Sequence, residues 1–353
     1  MNQQVKHLYI HIPFCNSICT YCDFVRFVPT SKKQTEEYIQ KIIHQIEKEC
    51  HDHQYETIYI GGGTPNSLSD NLLDLLLKVC AKKLANKFEF TIECNPEFIN
   101  ESQVKIFKKN KVNRISLGVQ TLNAKILKIF NRKHTNKDVI NAVNLLHQNR
   151  IENVSVDFIY GIKEANKKDY EECLEFLVKN NIKHASFYAL ELKPGSILTK
   201  QGFHLDEIDV EKKLKIIEQL MQKHNFIRYE IANFALNKNY FSQHNLAYWN
   251  SNDWKAIGLG AYGLENQVYY SYIGNVDQYQ KQNQKYTKKE YYQHILIMGL
   301  RLLTGFDLSI PVHHEAFSYF KHKLNPKTYE IKNNKVFIKN PNQLNEVLVN
   351  LFD

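Results

Sequence analysis

The chain has 353 residues, 43% hydrophobic and 24% charged, enough to bury a large core in one big domain with an appendage or in two domains. No apolar run approaches the ~20 residues needed to cross a bilayer, and the opening MNQQVKHLYI lacks the layout of a signal peptide, so a cytoplasmic protein with no integral membrane segment is expected. The net charge of +9 is mostly lysine scattered along helical stretches such as 105–109 and 212–215, which reads as solvated helix faces and argues against a nucleic-acid partner.

In chain order, the front two-thirds alternates short apolar runs with longer amphipathic stretches, the pattern of repeated β–α units around a parallel sheet. Strands are predicted over 7–12, 57–60, 88–93, 114–119, 153–158 and 185–190. Helices are predicted over 35–49, 71–84, 123–130, 136–148 and 168–179. Six such units suggest an α/β barrel or partial barrel. Pro194 and Gly195 then mark a turn, 206–223 reads as one long helix, and 229–234 as a short β-like run. The stretch 235–263, rich in Asn, aromatics and Gly, reads as a structured loop. A helix over 289–303 opens a small C-terminal unit containing a hairpin, 329–332 and 335–338, turned by Asn333 and Asn334, and a closing helix over 344–351.

Cys15, Cys19 and Cys22 follow the first strand with the spacing Cys-x3-Cys-x2-Cys. Three thiolates this close suit one face of a cubic iron–sulfur cluster, whose irons are each bound by a cysteine sulfur. Three ligands for four irons leave one iron open to a small molecule. A zinc site would normally show a fourth ligand at a second short spacing, and Cys50, Cys80, Cys94 and Cys173 supply no matching pair. The other conspicuous residues also sit at strand ends: Gly61, Gly62, Gly63 and Thr64 after the second, Glu93 at the third, Gln120 after the fourth and Asp157 near the end of the fifth. In a parallel barrel these ends open on one face, where sites are built. The glycines would let backbone approach a ligand. Glu93 and Asp157 could accept hydrogen bonds from an ammonium or hydroxyls, and Gln120 and Arg132 could hold a carboxylate or sugar.

YIHIPFCNSICTYCDF at 9–24, GGGTP at 61–65 and SLGVQ at 116–120 resemble the radical S-adenosylmethionine (SAM) enzymes. The likeness is closest to the branch related to oxygen-independent coproporphyrinogen III oxidase. It continues through NRKHT at 131–135, VDFIYG at 156–161, YEIANF at 229–234, HNLAYW at 244–249 and GLGAYG at 258–263, nearly the whole chain. The resemblance implies a partial (β/α)6 TIM-like barrel over 1–235, a connecting segment over 236–285, and a small α+β domain of the HemN C-terminal, winged-helix-like kind over 286–353. It implies a 4Fe-4S cluster on Cys15, Cys19 and Cys22, whose open iron chelates S-adenosylmethionine for one-electron cleavage to a 5′-deoxyadenosyl radical. Tyr9, Tyr21, Gly62, Gly63, Thr64, Glu93, Gln120, Arg132, Asp157 and Ala189 would line the SAM site.

Within this branch, the porphyrinogen-decarboxylating enzymes carry another cysteine two residues after the third cluster cysteine, where this chain has Cys22-Asp23-Phe24. They also carry an N-terminal extension for which a first strand near residue 7 leaves no chain. HNLAYW resembles the His-Asn-x-x-Tyr-Trp motif of the HemW-type heme chaperones, which makes His244 a candidate heme-binding residue, with His7, His11, His134 or a cysteine as other candidate ligands. The expectation is a radical SAM-type heme chaperone that delivers heme to recipient heme proteins. An electron donor such as a flavodoxin or ferredoxin, and a homodimer, belong to the same expectation. The alternatives are a coproporphyrinogen III oxidase and a charge-driven nucleic-acid binder; the latter lacks a clustered Arg/Lys run.

Overall fold

A computed structural model describes residues 5–352. Six parallel strands form its centre: β1 (His7–Ile12), β2 (Tyr55–Gly62), β3 (Leu84–Cys94), β4 (Arg114–Gln120), β5 (Asn153–Tyr160) and β6 (His184–Ala189). The crossovers are α1 (Lys32–Glu49), α2 (Asp70–Ala81), α3 (Glu101–Lys109), α4 (Ala124–Ile129) with α5 (Asn136–Gln148), and α6 (Lys167–Lys179). A short α7 (Ile197–Lys200) and the long α8 (Glu207–Lys223) follow β6. Local sequence explains the helix starts. Ser31 caps α1 by accepting from Gln34 N, and Thr135 with Asp138 forms a capping box at α5, as Asn166 with Asp169 does at α6.

The strands run side by side in the order β6-β5-β4-β3-β2-β1. Two short strands, β7 (Ile227–Arg228) and β8 (Asn233–Ala235), extend the sheet antiparallel beyond β6, and β9 (Lys255–Ile257) pairs parallel with β1 at the other edge. The sheet ends in two edges, so the barrel is partial. Alternation along each strand divides its residues between two environments. Leu8, Ile10, Ile58, Ile60, Phe90, Ile92, Ile115, Leu117, Val154 and Val156 lie fully buried in the main apolar core. Their neighbours Tyr59, Glu93, Ser116 and Asp157 line an interior cavity, and His7, Thr57, Glu89 and Ser155 are buried beneath it.

The stretch 235–263 is more ordered than its composition suggests. It contains α9 (Gln243–Trp249), β9 and the start of β10 (Tyr262–Glu265). Seven residues are too few to hold a helix in water on their own, and His, Asn, Tyr and Trp among them add little helical tendency. Ser242 caps α9, and Glu89 of β3 accepts the Gln243 and His244 backbone N–H groups at 3.0 Å each, so tertiary contacts supply what propensity lacks. β10, β11 (Val268–Gly274) and β12 (Tyr279–Lys285) form an antiparallel meander around Trp254, Tyr270 and Tyr272. Of the expected run at 229–234 only Asn233 and Phe234 are strand, in β8; 229–232 form the bend that follows β7.

The last unit opens with α10 (Lys288–Gly299), started by a Thr287–Glu290 capping box. β13 (Phe306–Asp307), α11 (Pro311–Phe320), β14 (Tyr329–Lys332), β15 (Lys335–Ile338) and α12 (Leu344–Val349) follow, the helix–strand–helix–hairpin order of a winged helix, around a separate apolar core. Asn333 and Asn334, at φ 49° and 58°, turn the hairpin as expected of a two-residue loop with both φ positive. No helix among the described residues is long and apolar enough to cross a membrane.

Candidate functional site

The cysteine loop leaves β1 and is anchored along its length. Cys15 N donates to Phe27 O at 2.9 Å, Asn131 Nδ2 to Ile18 O at 2.8 Å, and Thr20 Oγ1 to Ile129 O at 2.6 Å. All seven cysteines are free. Burial pushes the Cys15 and Cys22 thiols up, the latter to about 11, so a metal held by them would have to displace their protons. Among the described residues no three His, Cys, Asp or Glu side chains converge tightly enough to grip one metal ion. A cubic cluster asks for something different, because each thiolate binds its own iron.

The three cysteines face a cavity of about 730 Å³ at the C-terminal ends of the strands, which Tyr21, Gly62, Gly63, Thr64, Glu93, Gln120, Arg132, Asp157 and Ala189 also line. Glu93 accepts from Tyr59 Oη at 2.9 Å and from Gly62 N at 3.0 Å. Burial pushes its carboxyl up to about 7 against the pull of the Tyr59 bond. A Cβ on Gly61 would fall 2.7 Å from that carboxylate, and one on Gly62, at φ 109°, would fall 2.5 Å from the His11 ring. The glycines therefore let the β2 end close against both side chains. Asp157 accepts from Ser116 Oγ at 2.6 Å and Ser186 Oγ at 2.7 Å, and burial raises its pKa too. Gln120 stands beside a bulge between β4 and β5 with φ 66°, a left-handed backbone at the cavity wall.

Arg132 spans the gap between the cysteine loop and the barrel. Nη1 lies 3.7 Å from Cys19 Sγ, while Nη2 donates to Gly118 O at 2.6 Å and Asn95 Oδ1 at 2.9 Å. Its Nε is buried with no hydrogen-bond partner. Three free thiols, an orphaned guanidinium donor and two half-buried carboxylates fit a cluster carrying an amino-acid-like ligand: the thiols for iron, the cation for a carboxylate, the carboxylates for an ammonium or hydroxyls.

Two expected site residues lie off the cavity. Tyr9 stacks on Tyr59 at 6.1 Å, and its hydroxyl meets His11 Nδ1 at 3.0 Å, while His11 Nε2 donates to Val25 O at 2.8 Å. Tyr9 thus supports the cavity wall from behind. His244 is 1% exposed, near the N-terminal ends of the strands, with Tyr59 stacked on its ring at 5.2 Å. Thr57 Oγ1 occupies its Nδ1 at 2.6 Å and Tyr248 Oη its Nε2 at 2.7 Å, so neither ring nitrogen is presented to a ligand. His7 bonds Thr57 Oγ1 at 3.0 Å, and His134 is likewise buried. Sequence reasoning missed Tyr59, Asn95, Ser116 and Ser186. Only strand register reveals them, for Ser116 pairs with Ser155 and Asp157 with Ser186 across neighbouring strands.

A model of the Radical SAM superfamily matches residues 9–177. The heme chaperone HemW of Lactococcus lactis is 33% identical over 324 residues, covering 86% of this chain and 84% of that protein. The Bacillus subtilis heme chaperone HemW is 32% identical over 324 residues, covering 85% and 84%. Among solved structures, Escherichia coli coproporphyrinogen III oxidase (HemN), a radical SAM enzyme, superimposes with a TM-score of 0.82 over 99% of this chain and 90% of that one, at 16% identity, a likeness of fold alone. Identity near one third across most of both chains, on a radical SAM barrel with its cysteine loop, means that the chain belongs to the HemW heme chaperone family of the radical SAM superfamily.

Proposed function

We propose that this protein binds a 4Fe-4S cluster on Cys15, Cys19 and Cys22, S-adenosylmethionine in the adjoining cavity, and heme, which it passes to recipient heme proteins. The observation that carries the reading is the convergence of the three cysteines with Glu93, Gln120, Arg132 and Asp157 on one cavity, in a chain similar to heme chaperones along most of its length. Cluster and S-adenosylmethionine, when bound, supply one-electron reduction and radical chemistry. Arg132 Nε is the donor for the ligand carboxylate, Glu93 the partner for its ammonium, and Asp157, already shared among serine hydroxyls, the acceptor for ribose. An electron donor of the flavodoxin or ferredoxin kind would reach the cluster through the loop bearing Phe24, which is 65% exposed at the cavity edge.

Heme iron needs an axial ligand. His244 can serve only after giving up its bonds to Thr57 and Tyr248, so the heme-bound state requires either a rearranged α9 or a ligand elsewhere. The likeness to HemN supports the barrel and carries no weight for porphyrinogen decarboxylation, and Asp23 and Phe24 stand after Cys22 with no further cysteine there. Anaerobically reconstituted protein titrated with heme, with and without S-adenosylmethionine, tests the reading. A saturable Soret band whose heme passes to an apo heme protein is expected. Absence of binding, or turnover of coproporphyrinogen III to protoporphyrinogen, would contradict it.

A further inference from the structure

Tyr59 on the cavity wall begins a continuous row of touching rings that ends at the protein surface. His244 stacks on Tyr59 at 5.2 Å, Tyr248 meets His244 edge-on at 4.8 Å, and Trp254, 5% exposed, meets Tyr248 at 4.8 Å. Beyond Trp254, steps of 6.0, 5.9, 5.5 and 5.8 Å pass through His294, Tyr286 and Tyr269 to Tyr262, which is 51% exposed. Trp254 Nε1 also donates to Tyr262 O at 2.7 Å. No Phe stands in the row, although the sequence holds 20 Phe beside 21 Tyr. Packing alone would take Phe as readily, because a buried hydroxyl or indole N–H costs free energy unless it is hydrogen-bonded. Tyr and Trp differ from Phe in giving up an electron to oxidants that leave Phe untouched.

Each tyrosine at the cavity end is paired with a group that can exchange a proton with it. Tyr59 Oη donates to Glu93 at 2.9 Å. Tyr9, stacked on Tyr59 at 6.1 Å, donates to His11 Nδ1 at 3.0 Å, since His11 Nε2 keeps its hydrogen for Val25 O. Among the described residues Tyr248 Oη has one partner, His244 Nε2 at 2.7 Å, so it donates there, and Nδ1 carries the ring hydrogen toward Thr57 Oγ1. We propose that this row of rings is an escape path for oxidising equivalents, along which an electron from Tyr262 fills a hole made at Tyr59 and spares the cavity from self-oxidation. The oxidant, a carbon-centred radical, rests on the function proposed above. It takes the hydrogen atom of Tyr59 Oη, so a C–H bond forms as the O–H bond breaks. Tyr59 is restored by an electron from the row and a proton from Glu93, whose carboxyl burial keeps protonated up to about pH 7. Tyr248, on losing its electron, hands its proton to His244 and recovers it when Trp254 refills it. Tyr262 sheds its electron to the row and a proton to water, Glu93 regains a proton from water, and a solvent thiol gives Tyr262 a hydrogen atom. The net change is one carbon radical quenched and one thiol oxidised to a thiyl radical.

The path is tested without cluster or S-adenosylmethionine. Cys50, Cys80, Cys94 and Cys173 are buried, so in Cys15→Ser/Cys19→Ser protein a thiol-reactive ruthenium polypyridyl complex attaches at Cys22 on the cavity wall. Flash excitation with a sacrificial electron acceptor makes a one-electron oxidant there, and a biotin-phenol read by mass spectrometry marks where tyrosyl radicals emerge. The expected result is label on Tyr262, suppressed by glutathione, and none on Tyr319, which is 45% exposed but off the row. Trp254→Phe is expected to lose the Tyr262 label, and Trp254→Tyr, which restores an oxidisable ring, to keep it. Equal label on Tyr262 and Tyr319, undiminished label in Trp254→Phe, or loss in both Trp254 variants would overturn the proposal. Should the wild-type protein hold no cluster, the oxidant named here falls, while these labels still decide the path.

Discussion

Glu93 keeps its proton in the folded protein up to about pH 7, whereas in an unfolded chain it gives it up near its ordinary value of 4.5. The folded state therefore binds more protons between these limits, and the stability this group contributes is full below 4.5 and lost as pH rises through about 7. Glu93→Gln cannot titrate, so its melting temperature should vary less with pH across that window than the wild type's; parallel curves would contradict the burial argument. Replacing Cys19 by Ala should abolish the visible absorbance of the reconstituted cluster, and a retained cluster would refute the three-ligand assignment. His244→Ala removes the bonds to Thr57 and Tyr248 and a ring stacked on Tyr59, and should cost about 2–4 kcal/mol in urea denaturation. Cysteines, glycines and strand-end carboxylates were legible because each stands out locally. Ser116, Ser186 and Asn95 were not, since an isolated serine or asparagine acquires a role only when distant strands come into register around it.

Elements were readable wherever periodicity and caps agreed. β1 and α5 start and stop where their patterns do, and the Asn333–Asn334 turn specifies its hairpin. α9 and β12 broke the reading for opposite reasons. α9 is a helix made by its surroundings, with Glu89 from β3 taking two backbone N–H groups at its start. β12 is an exposed edge strand, Tyr-Gln-Lys-Gln-Asn-Gln-Lys, with almost nothing apolar to alternate. Glu89→Ala should therefore destabilise the protein by about 1–2 kcal/mol, the worth of a helix cap, and speed amide exchange in 243–249. Unchanged exchange there would mean that the helix holds itself.

At the scale of the molecule, the barrel gathers chemistry at one end of its strands and structure at the other. Cysteines, Glu93, Arg132 and Asp157 face the cavity at the C-terminal ends, while His7, His244, Thr57 and Glu89 form a hydrogen-bonded floor near the N-terminal ends. Tyr59 touches both, bonding Glu93 above and stacking on His244 below. A change at α9 would thus be felt through one ring at the cavity. On the proposed function, three cysteines leave one iron free for a sulfonium ligand. Electron paramagnetic resonance of the reduced, anaerobically reconstituted protein tests it most directly: about four irons per chain and a signal that shifts when S-adenosylmethionine is added are predicted, and a signal indifferent to S-adenosylmethionine, or iron and sulfide contents near zero, would contradict it.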